Sequence, residues 1–311
     1  MQIFIYVDTY ITVMFVEIRK SGKKKKYYLV HSFRIGDKVK RISRYLGSDL
    51  SEKELEKLRL RAEKIILEQV KEKSIFEFEL SKKEIEEYKK LEKPIRVKHL
   101  QRIDWLRFTE SFAYNTNAIE GSTVALDQAK ALIEHKEKPR DADEIETLGA
   151  ANAVEYIRKT KSKLDISLIK KLHLICFEKT KPFAGKIRNV EVVIKDGRGN
   201  IVHQGAPPDI VHKLLMNLVK WYKNHKNKYP PLLLAALVHN EFENVHPFQD
   251  GNGRVGRLLL NYVLLRHNYP PINIRFKDRQ RYYKVLQVFE KKNDIKQTLR
   301  FLISQYKKQY R

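Results

Sequence analysis

The sequence predicts a mainly helical fold with a small α+β region at its N-terminal end, on three observations. From about residue 101 onward, amphipathic stretches follow one another with short polar connections, which is the pattern of a helical bundle. Residues 1–47 are instead rich in β-branched and aromatic residues, which indicates strands. Between two of the helical stretches, β-rich runs flank Asp196-Gly197-Arg198-Gly199, which predicts a short inserted β-hairpin.

The composition is that of a folded, soluble protein. The chain has 311 residues, of which 42% are hydrophobic and 32% charged, so a sizeable core is expected. The net charge of +25 predicts affinity for polyanions such as nucleic acid or nucleotide phosphates, although lysine spread over solvated faces explains it equally well. The single cysteine, Cys176, excludes an intramolecular disulfide.

No membrane-spanning or secretory segment is expected. No uninterrupted apolar run approaches the length of a membrane span. The apolar N-terminus is interrupted by Asp8 and lacks a preceding basic region, so it does not resemble a signal peptide. We therefore expect a cytoplasmic protein without membrane association. Translation from Met14 is an alternative start, in which residues 1–13 would not belong to the protein.

Residues 1–95 are predicted to form an accessory region of strands followed by charged helices. The predicted strands are residues 14–18, 26–33 and 38–46, with a hairpin turn at Gly36-Asp37. Ser51 and Glu54 have the spacing of a capping box, which predicts a helix from there to about Lys73. A second charged helix is predicted over 81–91, and Lys93-Pro94 indicates a linker with a domain boundary near residue 95. No residue pattern in this region assigns it a role.

Residues 96–311 are predicted to form the helical domain. Apolar residues recur with helical period in nine stretches, separated by short polar connections. The predicted helices are 103–117, 123–136, 143–159, 165–177, 209–224, 232–244, 253–267, 278–291 and 295–309.

The stretch from His246 to Arg257, with the sequence HPFQDGNGRVGR, is the strongest candidate for a site. Pro247 ends the preceding helix, and four turn-forming residues follow it, namely Asp250, Gly251, Asn252 and Gly253. Arg254 lies three residues before Arg257, so the two share one helix face. A glycine-rich loop that enters a helix presents free N–H groups and the positive end of the helix dipole, which suits phosphate.

This stretch resembles the signature of the Fic (Fic/Doc) family, HPFx(D/E)GNGRxxR, and matches it at every fixed position. The resemblance covers roughly residues 101–308 and implies a Fic-type helical bundle. It implies a protein adenylyltransferase, which moves AMP from ATP onto a Ser, Thr or Tyr hydroxyl of a target protein with Mg²⁺. A homodimer is common in the family and is therefore possible here.

The resemblance also implies a role for each residue of the stretch. His246 would be the general base, because the pKa of histidine lies near working pH. Asp250 would hold Mg²⁺ against the α- and β-phosphates. The implied ATP contacts are the backbone N–H groups of Gly251, Asn252 and Gly253 at the α-phosphate, Arg254 at the β-phosphate, Arg257 at the γ-phosphate, and Asn261 and Tyr283 at the ribose or adenine.

The stretch from Thr116 to Gly121 resembles the inhibitory motif of the family, (S/T)xxxE(G/N). The resemblance implies an inhibitory helix at about 103–121, in which Glu120 pairs with Arg257 and removes the partner of the γ-phosphate. Taken alone, Glu120-Gly121 is equally an ordinary helix end with a C-cap glycine.

The stretch from Phe183 to Arg188 resembles the GxxR element that leads into the flap of the family, which would here be residues 190–204. The flap would hold the target polypeptide as an added strand. The implied flap and target-binding residues are Gly185, Arg188, Val192, Val193 and Ile194. A hairpin of this size is otherwise only a connection.

Four alternatives to AMP transfer stay open. Glu120 would position a water that removes AMP from a modified protein, and relatives in the family also transfer phosphocholine, UMP or phosphate. His239, Glu243 and His246, at i, i+4 and i+7, have the spacing of a transition-metal site, although Pro247 ends the helix and no further ligand completes a metalloprotease motif. The basic charge would also suit a nucleic-acid-binding regulator, for which no readout motif is present.

Overall fold

We analysed a computed structural model of the chain, which describes residues 3–7, 10–22, 24–35, 38–70, 80–92, 103–195, 199 and 201–310. In these residues the chain is mostly helical with two small antiparallel sheets, which confirms the predicted fold class. The chain divides into two compact units. The first contains the described parts of Met1–Phe78 with Asn189–Glu191 and Ala206–Ile210, and the second contains those of Glu79–Arg188, Val192–Gly205 and Val211–Arg311.

The first unit contains a four-stranded antiparallel sheet in sequence order, covered by one helix. Its strands are β1 Ile3–Val7, β2 Tyr10–Ser21, β3 Lys24–Ile35 and β4 Lys38–Ser48, and helix α1 is Glu52–Val70. Leu29 and Ile42 of the sheet form an apolar core with Ala62 and Ile66 of the helix. The apolar N-terminal run forms two paired strands, β1 and β2, and the predicted turn at residues 36–37 lies outside the described residues.

Helix α1 begins at the predicted capping box. The Ser51 N–H donates to the Glu54 carboxylate at 3.0 Å, and the Glu54 N–H donates to the Ser51 hydroxyl at 3.4 Å. These two bonds satisfy donors that the first turn of a helix otherwise leaves without partners.

The second unit is a bundle of helices. They are α2 Lys82–Glu92, α3 Trp105–Ile119, α4 Leu126–Glu134, α5 Ala142–Lys159, α6 Ile166–Phe177, α7 Pro208–His225, α8 Pro231–Val245, α9 Asn252–Arg266, α10 Arg279–Lys292 and α11 Ile295–Tyr310. Every helix predicted after residue 101 is present. Asp104, Asp141 and Asp165 each accept a backbone N–H in the first turn, which is why α3, α5 and α6 begin where they do.

Helices α8 and α9 form the centre of this unit. Helix α8 packs against α9, α10 and α11, while α9 also packs against α3, α5 and α6. Nearly all residues of both helices are buried, polar ones included. The loop between them, residues 246–251, therefore starts and ends on rigid elements. No helix among the residues described is both long and apolar enough to cross a bilayer.

Helix α2 packs with the bundle, although the sequence suggested that it belongs to the N-terminal accessory region. The Glu92 carboxylate accepts the N–H of Leu233 at 2.9 Å, in the first turn of α8, where N–H groups lack helical partners. Burial raises the pKa of Glu92 to about 7. The predicted linker at residues 93–94 and the boundary near residue 95 lie outside the described residues and stay predictions.

The predicted hairpin between α6 and α7 is present. Strand β5 is Val193–Lys195 and strand β6 is Ile201–Gln204, which pair in antiparallel register with an irregularity after Ile194. The Gly205 N–H also donates to the Val192 carbonyl at 3.1 Å. The predicted turn at residues 196–198 lies outside the described residues.

Candidate active site

The loop between α8 and α9 is held in shape by its own residues. His246 and Gly251 both have left-handed backbone angles, with φ of 50° and 79°, which turn the chain out of α8 and into α9. The Asn252 side-chain amide donates to the Phe248 carbonyl and accepts the Phe248 N–H, each at 2.8 Å. A Cβ atom on Gly251 would overlap the Phe177 ring, so only glycine fits there. The result is a closed loop that delivers a helix N-terminus, the kind of position where anions bind.

His246 is oriented as a proton acceptor. Its Nδ1 lies 3.3 Å from the Glu243 carbonyl oxygen, and because a carbonyl only accepts, Nδ1 carries the proton and Nε2 carries a lone pair. Burial, together with the charge of nearby His203, lowers the pKa of His246 to about 3. The ring is therefore neutral at physiological pH, as a general base requires before it takes a proton. Burial nevertheless places its pKa well below the working pH on which the sequence-based role rested.

Arg188 holds the start of this loop. Its Nε donates to the His246 carbonyl at 2.6 Å, and its backbone N–H donates to the Pro247 carbonyl at 3.0 Å. Its Nη2 also donates to the Val245 carbonyl at 3.3 Å, so the cation lies at the C-terminal end of the α8 dipole. The sequence grouped Arg188 with target binding. In the structure its guanidinium is instead buried against the loop backbone, because carbonyl groups at a helix end need donors.

His173 links this loop to Gly185 and was not predicted from the sequence. Its Nδ1 accepts the Gly185 N–H at 2.8 Å, so its proton lies on Nε2, which donates to the Asp250 carbonyl at 3.0 Å. The ring stacks on Phe248 with 3.9 Å between ring centroids. Gly185, which the sequence placed with the flap residues, has φ of 70° and supports the loop through this histidine.

Arg254, Glu146, Lys181 and Asp250 form a ring of alternating charges, which we call the Arg254 cluster. Arg254 bonds to Glu146, and Lys181 Nζ lies 3.2 Å from Glu146 Oε1 and 2.8 Å from Asp250 Oδ2. Arg254 Nη2 closes the ring at 3.7 Å from Asp250 Oδ2. Burial alone would raise the pKa of Asp250, but the bond to Lys181 and the charge of Arg254 hold it below its ordinary value. Asp250 is therefore ionised and bound to a cation.

Arg257, Thr116, Glu120 and Tyr282 form a second group, the Arg257 cluster. Arg257 Nε donates to Thr116 Oγ1 at 2.8 Å, and Nη2 donates to the Thr116 carbonyl at 2.9 Å. The same Nη2 donates to Glu120 Oε1 at 2.6 Å, which is the pairing that the sequence predicted. A Cβ atom on Gly253 would overlap the Glu120 carboxylate, so this glycine leaves room for the pair.

Gly121 ends helix α3 directly after Glu120. Its φ of 98° lies in the region that favours glycine, and nothing lies within 4 Å of where its Cβ would be. The predicted helix end is therefore present, and Glu120 belongs to it.

Two residues with implied nucleoside contacts bond to the backbone. Asn261 is fully buried, and its amide donates to the Arg257 and Ile272 carbonyls and accepts the Ile272 N–H at 2.7 Å. Because the amide is used in these bonds, Asn261 positions the chain at Ile272 and is not a direct nucleoside contact in this arrangement. The Tyr283 hydroxyl donates to the Ile119 carbonyl at 2.8 Å, which leaves its partly exposed ring as the surface for stacking.

The remaining flap residues lie on the hairpin as expected. Val193 pairs with Gln204 and Ile194 pairs with His203. The Ile194 side chain is exposed. That these residues and Val192 bind a target stays a prediction.

The alternative transition-metal site is not assembled. His239 Nε2 bonds to the Tyr282 hydroxyl at 3.0 Å, while His246 Nδ1 bonds to a carbonyl. Within the part of the chain that the structure describes, no group of three or more His, Cys, Asp or Glu residues is placed to hold a metal ion. Mg²⁺ has different needs, because it binds one or two carboxylates together with phosphates and water. Asp250 fits this requirement, since its Oδ2 already accepts a cation, the Lys181 ammonium.

Curated proteins match 61% of the chain. Protein adenylyltransferase Fic of Nematostella vectensis is 32% identical over 198 residues, with 61% of this chain and 45% of that protein covered. The protein of the same name from Aedes aegypti is 34% identical over 199 residues, with 61% and 38% covered. The chain therefore spans less than half the length of these relatives.

Solved structures with the same fold agree with this match. A Fic-domain-containing signaling protein from Bacteroides thetaiotaomicron superposes with a TM-score of 0.61 at 27% identity, covering 71% of this chain and 93% of that chain. Fic-1 from C. elegans superposes with a TM-score of 0.60 at 25% identity, covering 84% and 76%. The Fic/DOC family model matches residues 163–264, which include the loop and most of α9. By this match and the loop geometry, the chain carries a domain of the Fic/DOC family.

Proposed function

We propose that the protein is a Mg²⁺-dependent protein adenylyltransferase, which transfers AMP from ATP to a Ser, Thr or Tyr hydroxyl of a target protein. The observation that carries the proposal is the tautomer of His246, whose Nε2 lone pair lies on a loop that ends in the N-terminus of α9. A proton acceptor beside an anion-binding helix end is what phosphoryl-group chemistry on a hydroxyl needs. The activity named for the relatives supports the same reaction.

The proposed reaction forms one bond to the target hydroxyl and breaks one bond of ATP. The target hydroxyl oxygen attacks the α-phosphorus, the bond from that phosphorus to the β-phosphate oxygen breaks, and pyrophosphate leaves. The hydroxyl proton passes to His246 Nε2, while the Nδ1 bond to the Glu243 carbonyl keeps the ring oriented. The backbone N–H groups of Asn252 and Gly253 would stabilise the charge that develops on the α-phosphate, whereas the Gly251 N–H donates to Asp250 Oδ1 at 2.6 Å. Asp250 would hold Mg²⁺, which neutralises phosphate charge when bound.

Glu120 would regulate the reaction through Arg257. The guanidinium that would bind the γ-phosphate is already paired with Glu120 at 2.6 Å. An arginine engaged in this way does not make the bidentate phosphate contact that orients a triphosphate. The resting enzyme would therefore be weakly active until Glu120 withdraws.

A second reaction on the same site is favoured by the position of the Glu120 carboxylate. That carboxylate lies next to Gly253 at the start of α9, so close that a Cβ atom on Gly253 would overlap it. The α-phosphate would bind at this helix end. A carboxylate there would orient a water that removes AMP from a modified target. AMP release from a pre-adenylylated target, present with the parent protein and lost with Glu120→Gln, would support this direction.

The test of the main proposal uses His246→Ala in a Glu120→Gly background, where transfer is expected to be measurable. With ATP labelled at the α-phosphate and with Mg²⁺, the parent should label itself or added protein, and His246→Ala should lower the rate by about 10²-fold or more. His135→Ala is the matched control, because His135 is exposed. Binding of a non-hydrolysable ATP analogue should be nearly equal in all three proteins. Equal labelling by His246→Ala would contradict the proposal, and loss of analogue binding would make His246 structural.

A further inference from the structure

The Lys181 ammonium contacts two carboxylates, those of Asp250 and Glu146, at the end of a long flexible side chain. Its Nζ lies 2.8 Å from Asp250 Oδ2 and 3.2 Å from Glu146 Oε1. Its backbone N–H donates to the Phe177 carbonyl at 2.9 Å, so the chain is anchored at the end of α6 while the side chain extends to the cluster. The Asp250 side chain is half exposed, whereas that of Glu146 is buried.

The charges of the Arg254 cluster balance without any added ion. Two cations, Arg254 and Lys181, face two anions, Glu146 and Asp250. A divalent cation placed on Asp250 would lie beside the Lys181 ammonium, and like charges at such distances repel strongly when partly shielded from water. Lys181 therefore has to leave Asp250 before a metal binds there. A nucleotide brings phosphate oxygens that attract both the metal and the displaced ammonium.

We propose that Lys181 is a built-in cation that occupies Asp250 in the nucleotide-free protein and keeps free divalent metal out. Metal would then enter together with the phosphates of a nucleotide, and Lys181 would keep its contact with Glu146. The inference rests on the proposed function, in which Asp250 is the metal ligand. It assigns Lys181 the task of coupling metal binding to nucleotide binding.

The test measures Mn²⁺ binding without nucleotide, by the loss of the free-ion signal in electron paramagnetic resonance. Lys181→Met should bind Mn²⁺ roughly tenfold more tightly than the parent, because an adjacent like charge shifts a site by one to three powers of ten. Lys179→Met is the matched control, since it removes the same charge from an exposed neighbour and should leave binding unchanged. Lys181→Gln serves as the second variant if Lys181→Met does not fold. A non-hydrolysable ATP analogue should tighten Mn²⁺ binding more in the parent than in Lys181→Met.

Two results would overturn the inference, and they separate it from the proposed function. Equal or weaker Mn²⁺ binding by Lys181→Met than by Lys179→Met would overturn the role of Lys181 alone, provided that Asp250→Asn still abolishes binding. If adding Asp250→Asn to Lys181→Met leaves Mn²⁺ binding unchanged, the metal binds at a site other than Asp250. That outcome would overturn both the metal assignment and the role of Lys181.

Discussion

The Arg254 and Arg257 clusters lie one turn apart on α9 and hold their arginines in different ways. Both guanidinium groups are buried, and each is paired with a carboxylate. Glu146, the partner of Arg254, lies within α5 with a side chain only 9% exposed, and it also accepts the Thr180 hydroxyl at 2.9 Å. Glu120, the partner of Arg257, caps the end of α3 with a side chain 32% exposed. Arg254 thus has a partner within a packed helix, and Arg257 has one at a more exposed helix end; the predicted contact of Arg254 with the β-phosphate stays a prediction.

Two glycines explain this difference. Gly149 lies on α5, one turn after Glu146, and a Cβ there would overlap the Cys176 carbonyl of α6, so the helix that carries Glu146 is packed without spare room. Gly121 follows Glu120, and nothing lies within 4 Å of where its Cβ would be. The carboxylate of the Arg254 cluster therefore sits on a tightly packed helix, and that of the Arg257 cluster sits at an open helix end.

The largest expected effect of this difference is on stability, in Glu146→Gln. Removing the charge takes the nearest anion from the buried Arg254 and leaves it only Asp250, 3.7 Å away, so the free energy of unfolding should fall by about 3 kcal/mol. Glu155→Gln on the same helix is the control. Its partners Arg158 and Lys159 lie 2.9 Å and 3.1 Å away at the surface, so the loss should stay below about 1 kcal/mol. Urea unfolding of both variants measures the difference, and similar losses would mean that Arg254 is not held by the scaffold.

The buried histidine next to the Arg257 cluster, His239, should make the stability of the protein depend on pH. His239 bonds to Tyr282 of this cluster, and burial lowers the pKa of His239 to about 4 from 6.5. Because the unfolded chain takes up this proton and the folded protein does not, the stability is present above pH 6.5 and is lost as pH falls toward 4. Between about pH 7.5 and about pH 5, His239 should lower the free energy of unfolding by about 2 kcal/mol.

His239→Gln should therefore remove about 2 kcal/mol of the stability loss between those pH values, while keeping a polar group for the Tyr282 hydroxyl. His135→Gln, at an exposed site, is the matched histidine substitution. Denaturant unfolding at several pH values is the measurement. Equal slopes for all three proteins would mean that water reaches His239 in the folded protein. Glu120 would then not be the only loosely held part of the Arg257 cluster.

Sequence alone predicted the helices and the residues of the loop, because helical period and turn formers are local signals. The resemblance of Thr116–Gly121 to the family's inhibitory motif also implied the Arg257 pair, which the structure contains. The sequence did not predict Glu146 or Lys181. Glu146 is one of three glutamates on α5. Helical periodicity places it on the face of Gly149, Ala150 and Ala153 and opposite Glu155, but it does not name Arg254 as the partner, and Lys181 is one of many lysines.

Contacts set by tertiary packing were the part that local signals missed. His173 lies in an apolar stretch of α6, where a core histidine is the ordinary expectation, and only the fold brings it to the Asp250 carbonyl. Arg188 was grouped with the flap residues by its place before the flap, and the pattern did not reveal that it donates to the Val245 carbonyl at the end of α8. In both cases the partner is a backbone carbonyl far along the chain, which a side-chain pattern does not reveal.

The smallest effect in free energy decides the functional meaning of the comparison. If the Glu120 partnership blocks the γ-phosphate, Glu120→Gly should raise AMP transfer about tenfold or more, which corresponds to about 1.4 kcal/mol. Glu178→Gly is the matched control, because Glu178 is also an exposed carboxylate at a helix C-cap, and it should leave the rate unchanged.

The measurement is labelling with α-phosphate-labelled ATP, taken together with the unfolding free energy of each variant. A rate increase without a matching gain in stability would show that Glu120 acts on the nucleotide and not on the fold. No increase would mean that Arg257 accepts a phosphate without losing Glu120. In that case the exposed carboxylate would be an ordinary helix cap, and the two clusters would differ in packing but not in function.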